Sequence, residues 1–138
     1  MDPLAGLDRW LAERAHVAPA VLRVGLGVVI LFEGVHKLFA PSVWAAYAAP
    51  WVLALWPAPM VPTMVASGAA EVGFGLALVA DRYTTLSATV VAVSIAFVVV
   101  NLATIGLATG RFVDVALRDV GLVALAAGVA LQSASDGG

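Results

Sequence analysis

Glu33, Lys37, Glu71, Asn101, Asp114, Arg118 and Asp119 stand inside otherwise apolar stretches of the chain and form a candidate buried polar pocket. In a bilayer such side chains are rare, face the interior of a helix bundle, and mark proton relays, ion paths or ligand sites. Helical spacing decides which of them can meet. At about 100° per residue, Arg23, Gly27, Glu33, Gly34 and Lys37 fall within an arc of about 120°, and His36 points elsewhere. Ser67, Glu71 and Gly75 follow at spacing four, where small residues admit a neighbouring backbone. Ser87, Ser94, Asn101 and Ala108 recur every seven residues, a polar seam that drifts only about 20° per heptad. Asp114, Arg118, Gly121, Leu125, Gly128 and Gln132 share an arc of about 80°, with Asp114 and Arg118 as an (i, i+4) pair and Asp119 about 100° away.

Depth groups these residues as well. Glu33, Lys37, Asn101, Asp114 and Arg118 gather toward one face, Glu71 lies a turn deeper, and Arg23 alone belongs to the opposite, inner half; the charged groups of the outer cluster are Glu33, Lys37, Glu71, Asp114, Arg118 and Asp119. Four acids then meet two bases. In low dielectric that excess predicts that a carboxyl holds a proton, that a cation or polar ligand is present, or that Asp114 and Asp119 reach the interface. Glu71, without a partner on its own helix, is the candidate proton holder. The plainer reading also stands: ion pairs and Ser or Asn hydrogen bonds specify helix neighbours, at roughly 0.6–2 kcal/mol per hydrogen bond. The glycines Gly25, Gly27, Gly34, Gly68, Gly73, Gly75, Gly121 and Gly128 read as helix packing.

The elements that must position these groups follow from composition. Of 138 residues, 62% are hydrophobic and 12% charged, with a mean hydropathy of +1.02. A soluble domain of about 150 residues buries only about 70% of its unfolded surface, so much of this apolar surface must face lipid or partner protein. Crossing a hydrocarbon core of about 30 Å takes about 20 apolar residues. Four stretches meet that need: residues 19–39, 62–80, 84–107 and 112–132. Pro19 and Pro62 suit helix starts, and Asp81 with Arg82 marks a tight polar turn. The predicted fold is all-α, a polytopic membrane four-helix bundle in a single domain.

Residues 1–17 carry too many charges for a cleavable signal. Asp2 and Pro3 suit an N-cap and first helical position, and Leu4, Leu7, Leu11 and Ala15 lie within about 80° of arc. A short N-terminal amphipathic helix on the membrane surface is expected, with Trp10 near the headgroups. Between the first two spans, residues 40–61 hold no charge but carry Trp44, Tyr47, Trp51 and Trp56 among four prolines. Trp44, Tyr47 and Trp51 can share one helical face, and the prolines break the segment into short pieces. Two readings stand: an aromatic belt at the interface, or a lid over a cavity between the helices. The Lys and Arg count, four on one side against three on the other, places both termini in the cytoplasm.

Several chemistries are excluded. The chain has no cysteine, so thiol redox chemistry, disulfides and Cys-ligated metals are out. Two isolated histidines make no haem or metal site, and no phosphate loop is present. A net charge of −2 with scattered basic residues leaves no footprint for nucleic acid.

Arg23 with Gly27, the string EGVHKL from Glu33 to Leu38, the Pro-rich aromatic loop, Glu71 with Gly75, the turn from Asp81 to Tyr83, and RDVGLV from Arg118 together resemble the DoxX family. The resemblance implies a small prokaryotic inner-membrane protein of four helices, sometimes associated with redox systems. The family is named for a subunit of a thiosulfate:quinone oxidoreductase, and some relatives resemble a factor that matures a methylamine-oxidising enzyme. It offers no agreed catalytic residues, so Arg23, Glu33, Lys37, Glu71, Arg118 and Asp119 transfer as family-like positions only. Three functions are then expected to compete. One is a membrane subunit of a redox system, non-catalytic or quinone-linked, with quinone the implied ligand. Another is a small carrier of protons, cations or polar solutes, although no internal repeat supports it. A third is a structural or assembly partner without its own activity. The expected partners are the lipid bilayer, redox-enzyme subunits, or further copies of the chain.

Overall fold

The computed structural model describes residues 3–137. Seven helices follow one another: α1 (Pro3–Arg14), a 3-10 turn (Ala15–Val17), α2 (Ala18–Phe39), α3 (Pro41–Ala45), α4 (Pro50–Leu55), α5 (Met60–Val79), α6 (Thr84–Thr109) and α7 (Val113–Asp136). Asp2, expected as the cap of α1, lies outside the described residues. The segment Leu4–Phe39 and the helices Met60–Val79 and Thr84–Thr109 are long and apolar enough to cross a membrane. Their most apolar windows are at most 22% buried within the protein. Outward-facing Phe32, Val93, Phe97, Val100 and Leu131 are accordingly exposed, as expected of surface whose solvent is lipid.

Four long helices pack as two tight pairs, α2 on α5 and α6 on α7, while the α5–α6 and α2–α7 seams are looser. Glycine explains the first pair. A Cβ added to Gly27 would stand 2.9 Å from the Gly75 carbonyl oxygen, and one on Gly34 would stand 2.7 Å from that of Gly68. The approach is reciprocal, since a Cβ on Gly68 or Gly75 would meet backbone of α2 at 2.8 and 2.7 Å. Seven-residue spacing in both helices thus brings two backbones to contact distance, where packing and not water drives association. Gly25, Gly73, Gly121 and Gly128 do not work this way, for nothing lies within 4 Å of a Cβ built on any of them. A small core of Leu26, Ile30, Leu78, Ala88, Val91, Ile95, Ala126 and Val129 fills the space between the four helices.

The helix ends are tied locally. Arg23, near the start of α2, donates through Nη1 to the carbonyls of Leu78 and Val79 at the end of α5, the latter at 3.0 Å. Its Nε lies 3.3 Å from Asp81. A cation therefore caps carbonyls that have no partner within their own helix, and it does so at the negative end of the helix dipole. The following turn places Asp81 and Tyr83 at φ of 54° and 52°. This left-handed region is unfavourable for residues with a Cβ, and the bonds from Arg23 and from the Thr84 hydroxyl to Asp81 help hold the turn there. At the other end of α6, Gly110 takes φ 72° without that penalty, and Phe112 at 63° leads into α7.

α1 forms a 12-residue helix whose Leu4, Leu7, Trp10 and Leu11 are all at least half exposed. Its contacts are with the 3-10 turn, and it has no extensive packing on the bundle. An apolar face turned away from the protein suits an interfacial helix.

Candidate functional site

The tight α2–α5 contact sets the centre of the site. Gly34 and Gly68 lie where a Cβ would touch Glu71 and Lys37 respectively, so their absent side chains let Lys37 and Glu71 stand side by side. Lys37 Nζ donates to Glu71 Oε1, which also lies 3.4 Å from the Ser67 hydroxyl. Lys37 is 6% exposed, and its ammonium lies 4.5 Å from the ring centre of Trp44, a cation–π contact. Glu71 therefore finds on the neighbouring helix the counter-charge that its own helix lacks.

A second pair comes from α7. Arg118 lies 2.8 Å from Asp119 through Nη2 and 2.9 Å through Nε, and 3.5 Å from Glu33 on α2. Asp119 is 4% exposed. The expected Arg118 and Asp114 pair does not form: Asp114 is exposed and makes no ion pair among the described residues. The long Arg side chain bends round the helix to the adjacent acid, which points inward, and the residue one turn back faces outward. Glu33 lies within electrostatic reach of Lys37, Arg118, Glu71 and Asp119. The cluster is thus Glu33, Glu71 and Asp119 against Lys37 and Arg118, three acids and two bases.

The aromatic segment roofs this cluster. Trp44, Tyr47 and Trp51 do not share one helical face, because Pro41 and Pro50 start separate short helices and Tyr47 falls in the turn between them. Each indole has its own anchor: Trp44 donates to His36 Nδ1 at 3.0 Å, Trp51 to the Thr104 hydroxyl at 3.0 Å, and Trp56 to the Thr63 hydroxyl at 2.9 Å. Tyr47 packs on Phe112 with ring centres 4.6 Å apart. His36 is exposed, and its ring is edge-on to Trp44.

Asn101 does not join the charges. Its Oδ1 accepts from the Ala49 amide at 2.8 Å and its Nδ2 donates to the Tyr47 carbonyl at 2.7 Å, so it stitches the turn between α3 and α4 onto α6. Asn101→Ala is expected to free both backbone groups and cost about 2–3 kcal/mol, two neutral hydrogen bonds at about 1–1.5 kcal/mol each. Hydrogen exchange should then speed at Ala49; unchanged protection there would refute this role. Of the heptad seam, Ser87 is buried and Ser94 lies at the surface between α5 and α6.

Two cavities accompany the site. One of about 510 Å³ lies at the opposite end, among His16, Arg23, Asp81, Gln132 and Asp136. Another, of about 80 Å³, lies below the Lys37–Glu71 pair at the α5–α6 seam. Among the described residues no group of three or more His, Asp or Glu is placed to hold a metal ion. The residues that spacing alone did not reveal are the supports: Arg23 as a cap, Thr104 and Thr63 as indole acceptors, and Phe112 under Tyr47. Only Arg23 carried a signal, a cation positioned to meet the end of a neighbouring helix.

Apolar helices with their charges paired inside the bundle define an all-α integral membrane protein of the polytopic kind. The family model for DoxX matches residues 18–104, and the chain belongs to the DoxX family. The match includes Arg23, Glu33, Lys37, Glu71 and Asn101 and ends before Arg118 and Asp119. No curated protein matches the chain, and no solved structure does.

Proposed function

We propose that the chain is a four-span, multi-pass subunit of the prokaryotic cytoplasmic membrane, with both termini cytoplasmic, that serves a quinone-linked redox system. The observation that carries this reading is the network itself, in which Lys37 and Asp119 are buried, Glu33 and Glu71 partly buried, and Arg118 reaches in from the surface. Three acids and two bases leave one negative charge in excess, and a group enclosed in low dielectric meets such an excess by taking up a proton. Proton uptake beside a membrane-soluble carrier is the service a quinone-linked subunit supplies; the family resemblance supports the quinone by analogy of fold. With no cysteine and no metal-ligand cluster among the described residues, electrons would be handled by a partner subunit.

Glu71→Gln tests it. The amide keeps an acceptor for Lys37 and loses the ability to carry a proton. Native membranes bearing this variant are expected to lose about 10²–10⁴-fold in the rate of reducing a short-chain quinone, the scale of a lost general acid or base, with the protein still assembled. Undiminished turnover would remove Glu71 from proton transfer.

A second reading rests on a different observation: the Lys37–Glu71 and Arg118–Glu33 pairs and each loop indole bridge two elements. An assembly protein would use such bridges only to fix helix neighbours. Under this reading Glu71→Gln lowers the melting temperature and leaves quinone turnover unchanged.

A further inference from the structure

Trp44 is held by two neighbours on α2, and they grip different parts of its ring. The indole N–H donates to His36 Nδ1 at 3.0 Å, with the ring centres 5.8 Å apart and edge-on, while the Lys37 ammonium sits 4.5 Å from the indole centre. An aromatic ring is negative on its face and positive at its edge, so the face suits Lys37 and the edge suits a lone pair. An indole N–H can only donate, which requires that His36 Nδ1 carry no proton. The imidazole is therefore neutral, with its proton on Nε2, whenever this bond is made.

Histidine is the side chain that ordinarily changes charge between about pH 5 and 8, and His36 is exposed in the last turn of α2, where protons can reach it. Protonation turns Nδ1 into a donor. Two donors then face each other, and a cation meets the positive edge of the indole. The charged groups at this end of the bundle are Glu33 and Lys37 on α2, Glu71 on α5, Arg111 ahead of α7, and Asp114, Arg118 and Asp119 on α7. Residues 40–61 hold no charge and add only the Tyr47 phenol as a titratable group. Lys37 engages Glu71, Arg118 engages Glu33 and Asp119, and His36 makes no ion pair among the described residues. No carboxylate in contact thus rewards the new charge, and Lys37 beside it in the chain repels it.

The rest of the aromatic segment is fixed by bonds that do not titrate in this range. The Ala40 amide donates to the His36 carbonyl at 2.8 Å, Tyr47 and Ala49 are tied to Asn101, and Trp51 is tied to Thr104. Between these ties, residues 41–46 depend on the imidazole and on the packing of α3 against α5 and α2. We infer that His36 and Trp44 form a pH-sensitive latch: with the imidazole neutral the indole covers Lys37, and on protonation α3 is released and the Lys37–Glu71 pair is uncovered. The latch goes beyond the redox reading and does not depend on it.

Lys37 is the only lysine in the chain, so amine labelling of the purified full chain in detergent micelles, read at that residue by mass spectrometry, reports the cover. Variants are compared with the wild type at the same pH, which cancels the reagent's own pH dependence. His36→Asn places an amide oxygen where Nδ1 stood and never becomes charged; His36→Phe offers no acceptor. At about pH 8, where imidazole is ordinarily neutral, the wild type should label as slowly as His36→Asn. His36→Phe should label about two- to tenfold faster, the scale of one neutral hydrogen bond. At about pH 5.5 the wild type should have left His36→Asn and joined His36→Phe, and the ¹⁵N signal of the Trp44 indole should shift over the same range in the wild type alone. Equal labelling of the two variants at both pH values would overturn the latch. So would an acid-induced rise that His36→Asn shares in full, which would assign the response to the carboxyls of the network.

Discussion

Gly34→Ala is expected to prise α2 from α5 and to lower stability by about 1–3 kcal/mol, the cost of forcing a methyl group into a filled contact. The new Cβ would stand 2.7 Å from the Gly68 oxygen, 2.8 Å from the Val72 nitrogen and 2.9 Å from the Glu71 Cβ. Two of these atoms belong to the backbone and cannot swing aside. Gly75→Ala should behave alike, since its Cβ would meet the Leu31 nitrogen at 2.7 Å. Gly121→Ala and Gly128→Ala supply the contrast: each Cβ meets open space, and surface changes of this kind stay within about 0.5 kcal/mol. Thermal unfolding of the four variants in one detergent measures the difference. A loss at Gly121 equal to that at Gly34 would refute the close-packed seam.

Lys37→Met is expected to cost more, about 3–5 kcal/mol, because it leaves Glu71 buried without its counter-charge. The single substitution also raises the network from one excess negative charge to two. Combining it with Glu71→Gln returns the excess to one, and the double variant should recover at least half of the loss. A double-mutant cycle on unfolding free energies isolates this coupling. Strict additivity of the two substitutions would mean that the pair contributes nothing as a pair.

Much of the architecture could be read from residue spacing, and the reasons for success and failure are physical. The arc that gathers Gly27, Gly34, Glu33 and Lys37 depends only on helical geometry, and the structure turns that arc toward α5. Reading every helical glycine as packing failed at Gly25 and Gly73, because a glycine facing lipid and one facing a backbone are the same residue. The (i, i+4) rule favoured Asp114 for Arg118, yet a flexible guanidinium reaches its neighbour Asp119 when that acid points inward. Asn101 looked like part of the charged pocket because its partners are backbone atoms of the aromatic segment, and backbone groups leave no mark in a sequence. Depth along the helix was readable; the identity of what lay across from it was not.

The division into two tight helix pairs has a consequence in time. Ribosomes add about 5–20 residues per second, so α2 and α5 are finished seconds before the end of α7 is made. Within that first half Lys37 and Glu71 already neutralise each other. Glu33 cannot, because its partner Arg118 belongs to the second half. During biosynthesis the young hairpin therefore waits in the membrane with one carboxyl unanswered, and the arrival of α7 brings the charge that closes it.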